Sequence, residues 1–433
     1  INGFIPEGRG GHVATIFQNQ IYFMGGARII PSTNPIRSPT RVYNLSDQVF
    51  FLDLSSSFST SNPPYVDLSE TSARMTYGFE KGAAVVGGPA NDNVYLVEGI
   101  QQDLSLLNKI DKNVTITSNQ TLMYNELLKT WNVTNNTIFM YNLREKYWTI
   151  PKPIGVPPSI RRRSASTVID KDGTKIYMFG GRADTSTGSP IFIIFNDLYT
   201  YDTILSKWET INVTENAPIS RRPTSPVNMD EIAVFDTNSL KWSNKHAENA
   251  SRIQPRVGHT ATLSQDKTSI IIIGGTTASI IGLRITAYPI FILLDISTEP
   301  YKYSELNDSG ERPRPLAYHT VNLYQNYMIV AFGNITDEVY ESNNTSSTIY
   351  LLDMPCLKWV TTFIPNNTSC PPQTLLQPSP QSTPIGVIIG TTIAAIIFVV
   401  LLIAAILYIR RRRKSRKDIL EIGPDQPRNE LLD

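Results

Sequence analysis

The groups able to do chemistry in this chain of 433 residues are few and widely spaced. There are four histidines, and three of them recur in short clusters of similar composition: His12 in "RGGHVAT", His259 in "RVGHTAT" and His319 in "AYHTVNL". His246 stands apart in a polar stretch. A metal or general-base centre needs several such groups to converge. Recurrence at one repeat position points instead to histidines that bond neighbouring strands. Asp53, Asn142, Asp202, Asp236, Asp295 and Asp353 each close an apolar run. At such junctions Asp and Asn accept hydrogen bonds from nearby backbone N–H groups, and capping is the expected role rather than metal binding. Arg161, Arg162 and Arg163, and the pair Arg221 and Arg222, read as solvated turn residues. The sharper alternative is contact with a carboxylate-bearing ligand, which suits the planar guanidinium. The sequence contains no H-E-x-x-H, G-x-S-x-G, P-loop or Cys-x-x-Cys motif. No catalytic set, metal or cofactor is therefore expected, and a net charge of +1 gives no general attraction to nucleic acid.

These residues must be held by repeated elements. A strand ending in Gly-Gly recurs as "IYFMGG" (Gly25, Gly26), "IYMFGG" (Gly180, Gly181) and "IIIIGG" (Gly274, Gly275), with "MIVAFGN" and "VYLVEG" as degenerate copies. A second run ends in Asp or Asn, and six residues later stands Trp148, Trp208, Trp242 or Trp359; Tyr301 takes that place after Asp295, and Ser59 after Asp53. Four of the five tryptophans thus share one repeat position. The segments are short, rich in Ile, Val, Tyr and Phe, and bounded by turn residues, so they read as strands. Small sheets that cannot bury both faces alone must stack, and radial stacking gives a propeller. The expected fold is an all-β propeller of about six blades over residues 1–363. One blade is incomplete, because the unit starting at Pro218 lacks its Gly-Gly half. The long variable stretches all fall between the Gly-Gly strand and the next strand, which places them on one face.

The Arg/His/Thr cluster, the glycine pair and the spaced tryptophan together resemble the kelch repeat. The resemblance implies one four-stranded blade per repeat, as in the central domain of galactose oxidase, with the glycine pairs and the four tryptophans as structural residues. It covers the fold and not the copper site of that enzyme, whose histidines and tyrosine–cysteine pair have no counterpart here. A membrane-tethered carbohydrate oxidase is the alternative function, and an intracellular adaptor role is disfavoured by the features that follow.

Residues 385–409 carry no charge, and a helix of that length at about 1.5 Å per residue crosses a hydrocarbon core of about 30 Å. Arg410, Arg411, Arg412, Arg413, Lys414, Arg416 and Lys417 follow directly. Such a flank stays cytoplasmic, so residues 1–384 are expected outside, joined to the span by a Pro/Ser/Thr-rich stalk over 364–384 and followed by a basic tail over 410–433. The tail is expected near anionic lipid. N-x-S/T acceptors agree, at Asn44, Asn113, Asn119, Asn132, Asn135, Asn212, Asn249, Asn307, Asn334, Asn343, Asn344, Asn366 and Asn367, all before the span. Cys356 and Cys370 also lie there, and an oxidising compartment permits a bridge between them. The start at Ile1 reads as a mature or truncated chain. Gly386 and Gly390 form a small-xxx-small pair that allows a weak homodimer. The chain looks like the single-pass membrane kelch proteins of fungi. The expected function is cell-surface recognition or adhesion toward a protein or glycan ligand, using the loops of one propeller face.

Overall fold

The computed structural model describes residues 3–30, 43–102, 104, 137–219, 228–278, 284–337 and 344–367. The chain divides into two compact units, Ile1–Leu375 and Leu376–Asp433, and all described residues lie in the first. That unit is a β-propeller of five four-stranded blades. In blade 1 the strands are Val13–Phe17, Gln20–Met24, Val49–Asp53 and Tyr65–Asp67. Blade 2 has Ala83–Gly87, Asn93–Val97, Ile138–Asn142 and Tyr147–Thr149. Blade 3 has Ser166–Ile169, Lys175–Phe179, Leu198–Asp202 and Lys207–Ile211. Blade 4 has Thr260–Leu263, Ser269–Ile273, Phe291–Asp295 and Tyr301–Glu305. Blade 5 has Thr320–Tyr324, Tyr327–Ala331, Ile349–Asp353 and Lys358–Val360. All four strands of each blade pair antiparallel in chain order.

The second strands are apolar at consecutive positions, not alternating ones, because each blade is buried on both faces. Ile21, Tyr22 and Phe23 are wholly buried, as are Ile176 and Met178. The apolar layers lie between blades. Phe23 and Phe50 of blade 1 pack with Phe332 and Ile329 of blade 5. Met24 and Val49 of blade 1 pack with Leu96 and Tyr141 of blade 2, and Tyr95 and Val97 of blade 2 with Ile176 and Trp208 of blade 3.

The short fourth repeat folds as a hairpin, Ile232–Asp236 with Lys241–Lys245. It occupies the place of a third and fourth strand between blades 3 and 4. Tyr95 of blade 2 meets Tyr201 of blade 3 at 6.0 Å between ring centres, and the equivalent Tyr177 of blade 3 meets Phe235 of the hairpin at 6.3 Å. The segment that follows the hairpin, Ala247–Glu248, pairs parallel with Tyr301–Lys302 of blade 4, as Ile154–Gly155 after blade 2 pairs with Lys207–Trp208 of blade 3.

The aromatic six residues past the Asp or Asn enters the fourth strand in blades 2 to 5. Trp208 is 1% exposed and Trp359 is 5% exposed. Their indole environments differ, since Trp148 donates to the Ala73 carbonyl (2.7 Å) and Trp359 to Asp308 (2.5 Å). Blade 1 departs from the spacing. Its fourth strand starts at Tyr65, and Phe58–Ser59 instead pair with Thr362–Phe363, which brings the last strand back onto the first blade. The Asp and Asn residues cap turns: Asp202 accepts from the N–H groups of Ile204 (2.9 Å) and Leu205 (2.8 Å), and Asn142 and Asp236 act alike.

Among the described residues the helices are two short 3-10 turns, and no helix is long and apolar enough to cross a membrane. Residues 385–409, with Gly386 and Gly390, and the tail from Arg410 lie outside the described residues.

Candidate functional site

Each blade begins its first strand with one residue in the left-handed conformation: Gly11 (φ 69°), Lys81 (53°), Ser164 (57°), Gly258 (70°) and Tyr318 (56°). These five residues form a chain of backbone hydrogen bonds from blade to blade. Ser164 N–H donates to the Lys81 carbonyl, Lys81 to Gly11, Gly11 to Tyr318 and Tyr318 to Gly258, at 2.7–2.8 Å. Around them opens a cavity of about 390 Å³, lined among others by His12, Lys81, Ser166, His259, Tyr318 and His319.

The glycine pairs lie just beneath this mouth. A Cβ on Gly26 would sit 2.9 Å from the His12 Cβ, and one on Gly25 would sit 2.4 Å from the Phe79 carbonyl, so only glycine fits the close approach. The second glycine of each pair donates to the following blade: Gly26 to Phe79, Gly99 to Arg162, Gly275 to Leu316 and Gly333 to Arg9. Gly180 and Gly181 hold the same place in blade 3, with φ of 69° and 88°. Where the first glycine is replaced, a side chain enters the core. Phe332 is wholly buried and packs against Phe23 at 5.2 Å, and Glu98 is 1% exposed.

The histidines join neighbouring blades. His12 Nε2 lies 2.9 Å from Thr320 Oγ1 of blade 5, and His319 Nε2 lies 3.0 Å from Thr260 Oγ1 of blade 4. Burial, with Arg9 adding to it, holds His12 well below the ordinary imidazole range. Burial also brings His319 down to about 3. His259 opens onto the cavity with its surface exposed, and partial desolvation with the Arg256 charge beside it lowers its pKa. His12 and His319 are neutral at physiological pH and serve as hydrogen-bonding links. His246 stays on the surface and pairs with Asp230 at 3.1 Å.

The arginines of the repeat are corrected from solvated turn residues to buried ones. Arg162 is 1% exposed; it donates to the Gly180 carbonyl at 3.0 Å, pairs with both oxygens of Asp197, and lies 3.8 Å from the Phe195 ring centre. Arg9 and Arg256 donate likewise to Gly25 and Gly274 of their own blades. Arg163 pairs with Asp184 at 2.5 Å. Arg161 is also buried, and its charge acts on Glu98. Glu98 accepts from the Arg162 backbone N–H at 2.9 Å. Burial pushes its carboxyl up to about 7, and the Arg162 hydrogen bond with the charges of Arg161 and Arg162 limits the rise. Arg221 and Arg222 lie outside the described residues.

Sequence reasoning missed Lys81, Tyr318 and Glu98. Lys81 pairs with Glu80 at 3.0 Å and stands 5.0 Å from the Tyr318 ring centre, which puts the one lysine of the mouth over an aromatic face. The usable signal for Lys81 was an ionisable residue where two other repeats have Gly11 and Gly258, and for Glu98 one where three others have Gly25, Gly180 and Gly274. Among the described residues no three His, Cys, Asp or Glu side chains stand where they could hold a metal.

The strand directions fix the face. First strands start, and second strands end, at the cavity mouth, so the variable loops emerge there. They include the paired segments Ala27–Ile29 with Tyr43–Leu45, Arg182–Ala183 with Ile193–Ile194, and Thr276–Ala278 with Arg284–Thr286. Ile191, Phe192 and Tyr288 in or beside these loops are exposed. Of the glycan acceptors, Asn212, Asn307 and Asn366 are exposed. Asn334 and Asn344 are half-buried, and Asn44 has a buried side-chain oxygen. The amide nitrogen of Asn249 donates to the Tyr303 carbonyl, and that of Asn367 to Asp353 and Tyr327. Asn113, Asn119, Asn132, Asn135 and Asn343 are outside the described residues, as is Cys370; Cys356 is held in a disulfide.

Five sheets of repeated design around a central cavity define a kelch-type β-propeller. The family model of the Attractin/LZTR1 beta-propeller matches residues 128–375, more than half of the chain, and the chain belongs to that family. Such a propeller is a scaffold for protein binding in general, and the family is mainly non-catalytic. The solved "Structure of YjhT" is similar at 13% identity over 81% of this chain and 83% of that one, with a TM-score of 0.37. No curated protein matches the chain.

Proposed function

We propose that the chain is a cell-surface recognition protein that presents the loop-bearing face of its propeller to an extracellular protein or glycan. The observation that carries this reading is the convergence on one face of the cavity mouth, the inter-strand loops and the exposed side chains of Ile191, Phe192 and Tyr288. Loops on a rigid scaffold are where recognition is usually built, and exposed aromatic side chains are common anchors of binding surfaces. The uncharged run over 385–409 with the basic residues after it, and the acceptor asparagines confined to the region before it, support an external propeller anchored by one span. In this reading the tail from Arg410 is cytoplasmic and a second copy can associate through Gly386 and Gly390.

The test uses full-length chain on intact cells, with one epitope at each end. Protease added outside should destroy the epitope near Ile1 and spare that at Asp433; the reverse refutes the topology. The same cells, screened against arrays of glycans and secreted proteins, should bind a ligand. Phe192→Ser combined with Tyr288→Ser should abolish that binding at unchanged display. Binding that survives these changes, and is instead lost on substituting Ile204 and Leu205 at the opposite face, refutes the assignment of the face.

A further inference from the structure

The hairpin Ile232–Asp236 with Lys241–Lys245 supplies only the outer half of a blade, and the rest of the ring records what is missing inside it. The first strands follow one another by edge packing in the order blade 4, blade 5, blade 1, blade 2, blade 3, and among the described residues no comparable packing joins blade 3 to blade 4. Between those two, among the described residues, the chain of hydrogen bonds at the mouth is not continued. Among the described residues the Ser164 carbonyl finds no N–H from a following blade, and Gly258 N–H finds no carbonyl from a preceding one. Within the same residues Gly181 lacks the carbonyl that Gly26, Gly99, Gly275 and Gly333 each find in the next blade. His12 and His319 each reach a threonine on the preceding blade, and His259 has no such threonine among the described residues. No described strand pairs with the inner edge of Ile232–Asp236.

The side chains agree with the backbone. In blade 2, Val85 packs toward blade 3 and Val86 toward blade 1, and both are half-buried. The residue of blade 3 equivalent to Val85 is Val168, and it is 55% exposed. The residue of blade 4 equivalent to Val86 is Leu263, and it is 45% exposed. These are the two positions that would face first and second strands beside the hairpin. Singly exposed apolar residues need no explanation, but two that face the same gap from either side do.

We propose that this gap is a docking site for a β-hairpin donated by a partner chain, whose two strands complete the blade from the inner side. The chemistry of the occupant follows from the groups that await it. It must be extended polypeptide, because unpaired backbone groups in a row are satisfied by another strand. Its outer strand pairs with Ile232–Asp236. Its inner strand starts with a residue that donates to the Ser164 carbonyl and accepts from Gly258 N–H. Both strands carry apolar side chains, to cover Val168 on one side and Leu263 on the other. This site lies between blades and meets the cavity mouth at Ser164 and Gly258, while Val168 and Leu263 set it apart from the loop residues Phe192 and Tyr288.

The test uses the full chain in detergent micelles and, as probe, a synthetic peptide with the sequence of residues 257–276. That segment forms the first two strands of blade 4 and carries the required pattern. Saturable binding of one peptide per chain is expected, with slowed hydrogen exchange at Gly258 and at the amides of Ile232–Asp236 that point away from Lys241–Lys245. A scrambled peptide should not bind. Val168→Glu and Leu263→Glu change exposed side chains, so the melting temperature should hold while peptide affinity falls about tenfold or more. Protection, without peptide, of the amides of Ile232–Asp236 that point away from Lys241–Lys245 would show the edge filled by the chain itself and overturn the proposal. Binding that ignores both glutamate variants would also overturn it. So would a concentration-dependent dimer that excludes the peptide, because the occupant would then be a second copy.

Discussion

Replacing Glu98 by glutamine tests whether the carboxyl at the glycine-pair position of blade 2 is a protonated core group. The side chain is 1% exposed and accepts from the Arg162 N–H at 2.9 Å, a bond that the amide oxygen of glutamine can also accept. Burial raises the folded pKa from 4.5 to about 7. A carboxyl raised in this way adds stability that is complete below its unfolded pKa and is lost as pH rises through the folded value. One pKa unit corresponds to about 1.4 kcal/mol, so the native chain should carry a penalty of roughly 3 kcal/mol near pH 8 and less than about 1 kcal/mol near pH 5. The Glu98→Gln variant escapes both. The buried histidines act in the opposite sense: His12 and His319 are depressed, so the stability they contribute is lost on acidification below the ordinary imidazole pKa. Their contribution is common to both proteins and cancels when the variant is compared with the parent at each pH. Chemical denaturation of the purified full chain should therefore show the advantage of Glu98→Gln over the parent larger by about 2–3 kcal/mol near pH 8 than near pH 5. An advantage independent of pH would mean that Arg161 and Arg162 keep the carboxylate ionised, and the account of this site would be wrong.

Trp208→Ala and Trp359→Ala should each cost about 3–5 kcal/mol, which is a large part of the stability of a domain. Thermal melting and surface display of the full chain check this, and near-parental values for both would refute the role of the repeat tryptophan. If the propeller passes through the secretory pathway, Asn212 and Asn307 should carry glycans and Asn367 should not, because its amide nitrogen is engaged by Asp353 at 2.9 Å and Tyr327 at 3.1 Å. Site-by-site glycopeptide mass spectrometry decides this, and full occupancy at Asn367 would contradict the closed arrangement of that segment.

The repeat was legible because its physics is local. A strand that must end in two close-approach turns shows its glycines, and a tryptophan entering the outer strand shows its spacing, so Gly274, Gly275, Trp208 and Trp359 stood out in the sequence. The short fourth repeat was legible as a deficit. What stayed hidden depends on partners far away in the chain. Arg162 looks like one of three solvated arginines until the fold delivers Asp197, Phe195 and the Gly180 carbonyl to it. Lys81 and Tyr318 are separated by most of the ring in sequence, and only circular closure brings them to 5.0 Å. Ser59 illustrates the opposite error: local spacing placed it in the outer strand of blade 1, while the segment Thr362–Phe363 claims it for closure.

That closure also explains where the largest apolar cluster among the described residues lies. Taken from the gap, the ring runs blade 4, blade 5, blade 1, blade 2, blade 3, and the seam between blade 5 and blade 1 joins the two ends of the described propeller sequence. Neighbouring blades elsewhere are tied by short linkers, but at this seam the chain closes a loop of several hundred residues, whose entropy cost the contacts themselves must offset. The seam is built accordingly. Phe23, Phe50 and Phe332 form a mutually packed aromatic group with ring centres 5.1–5.9 Å apart, and Phe58 stacks on Phe363 at 5.1 Å. Arg9, wholly buried, lies 4.7 Å from the Phe50 ring centre, and its carbonyl accepts from Gly333 of blade 5. Each blade takes all four strands from contiguous sequence, so no strand exchange holds the ring shut, and the seam must do so by side-chain packing and by the pairing of Thr362–Phe363 with Phe58–Ser59. A sixth position that the described residues leave half-built is compatible with this design, because the blade 5–blade 1 seam does not border it and blades 3 and 4 stand as the ends of an arc.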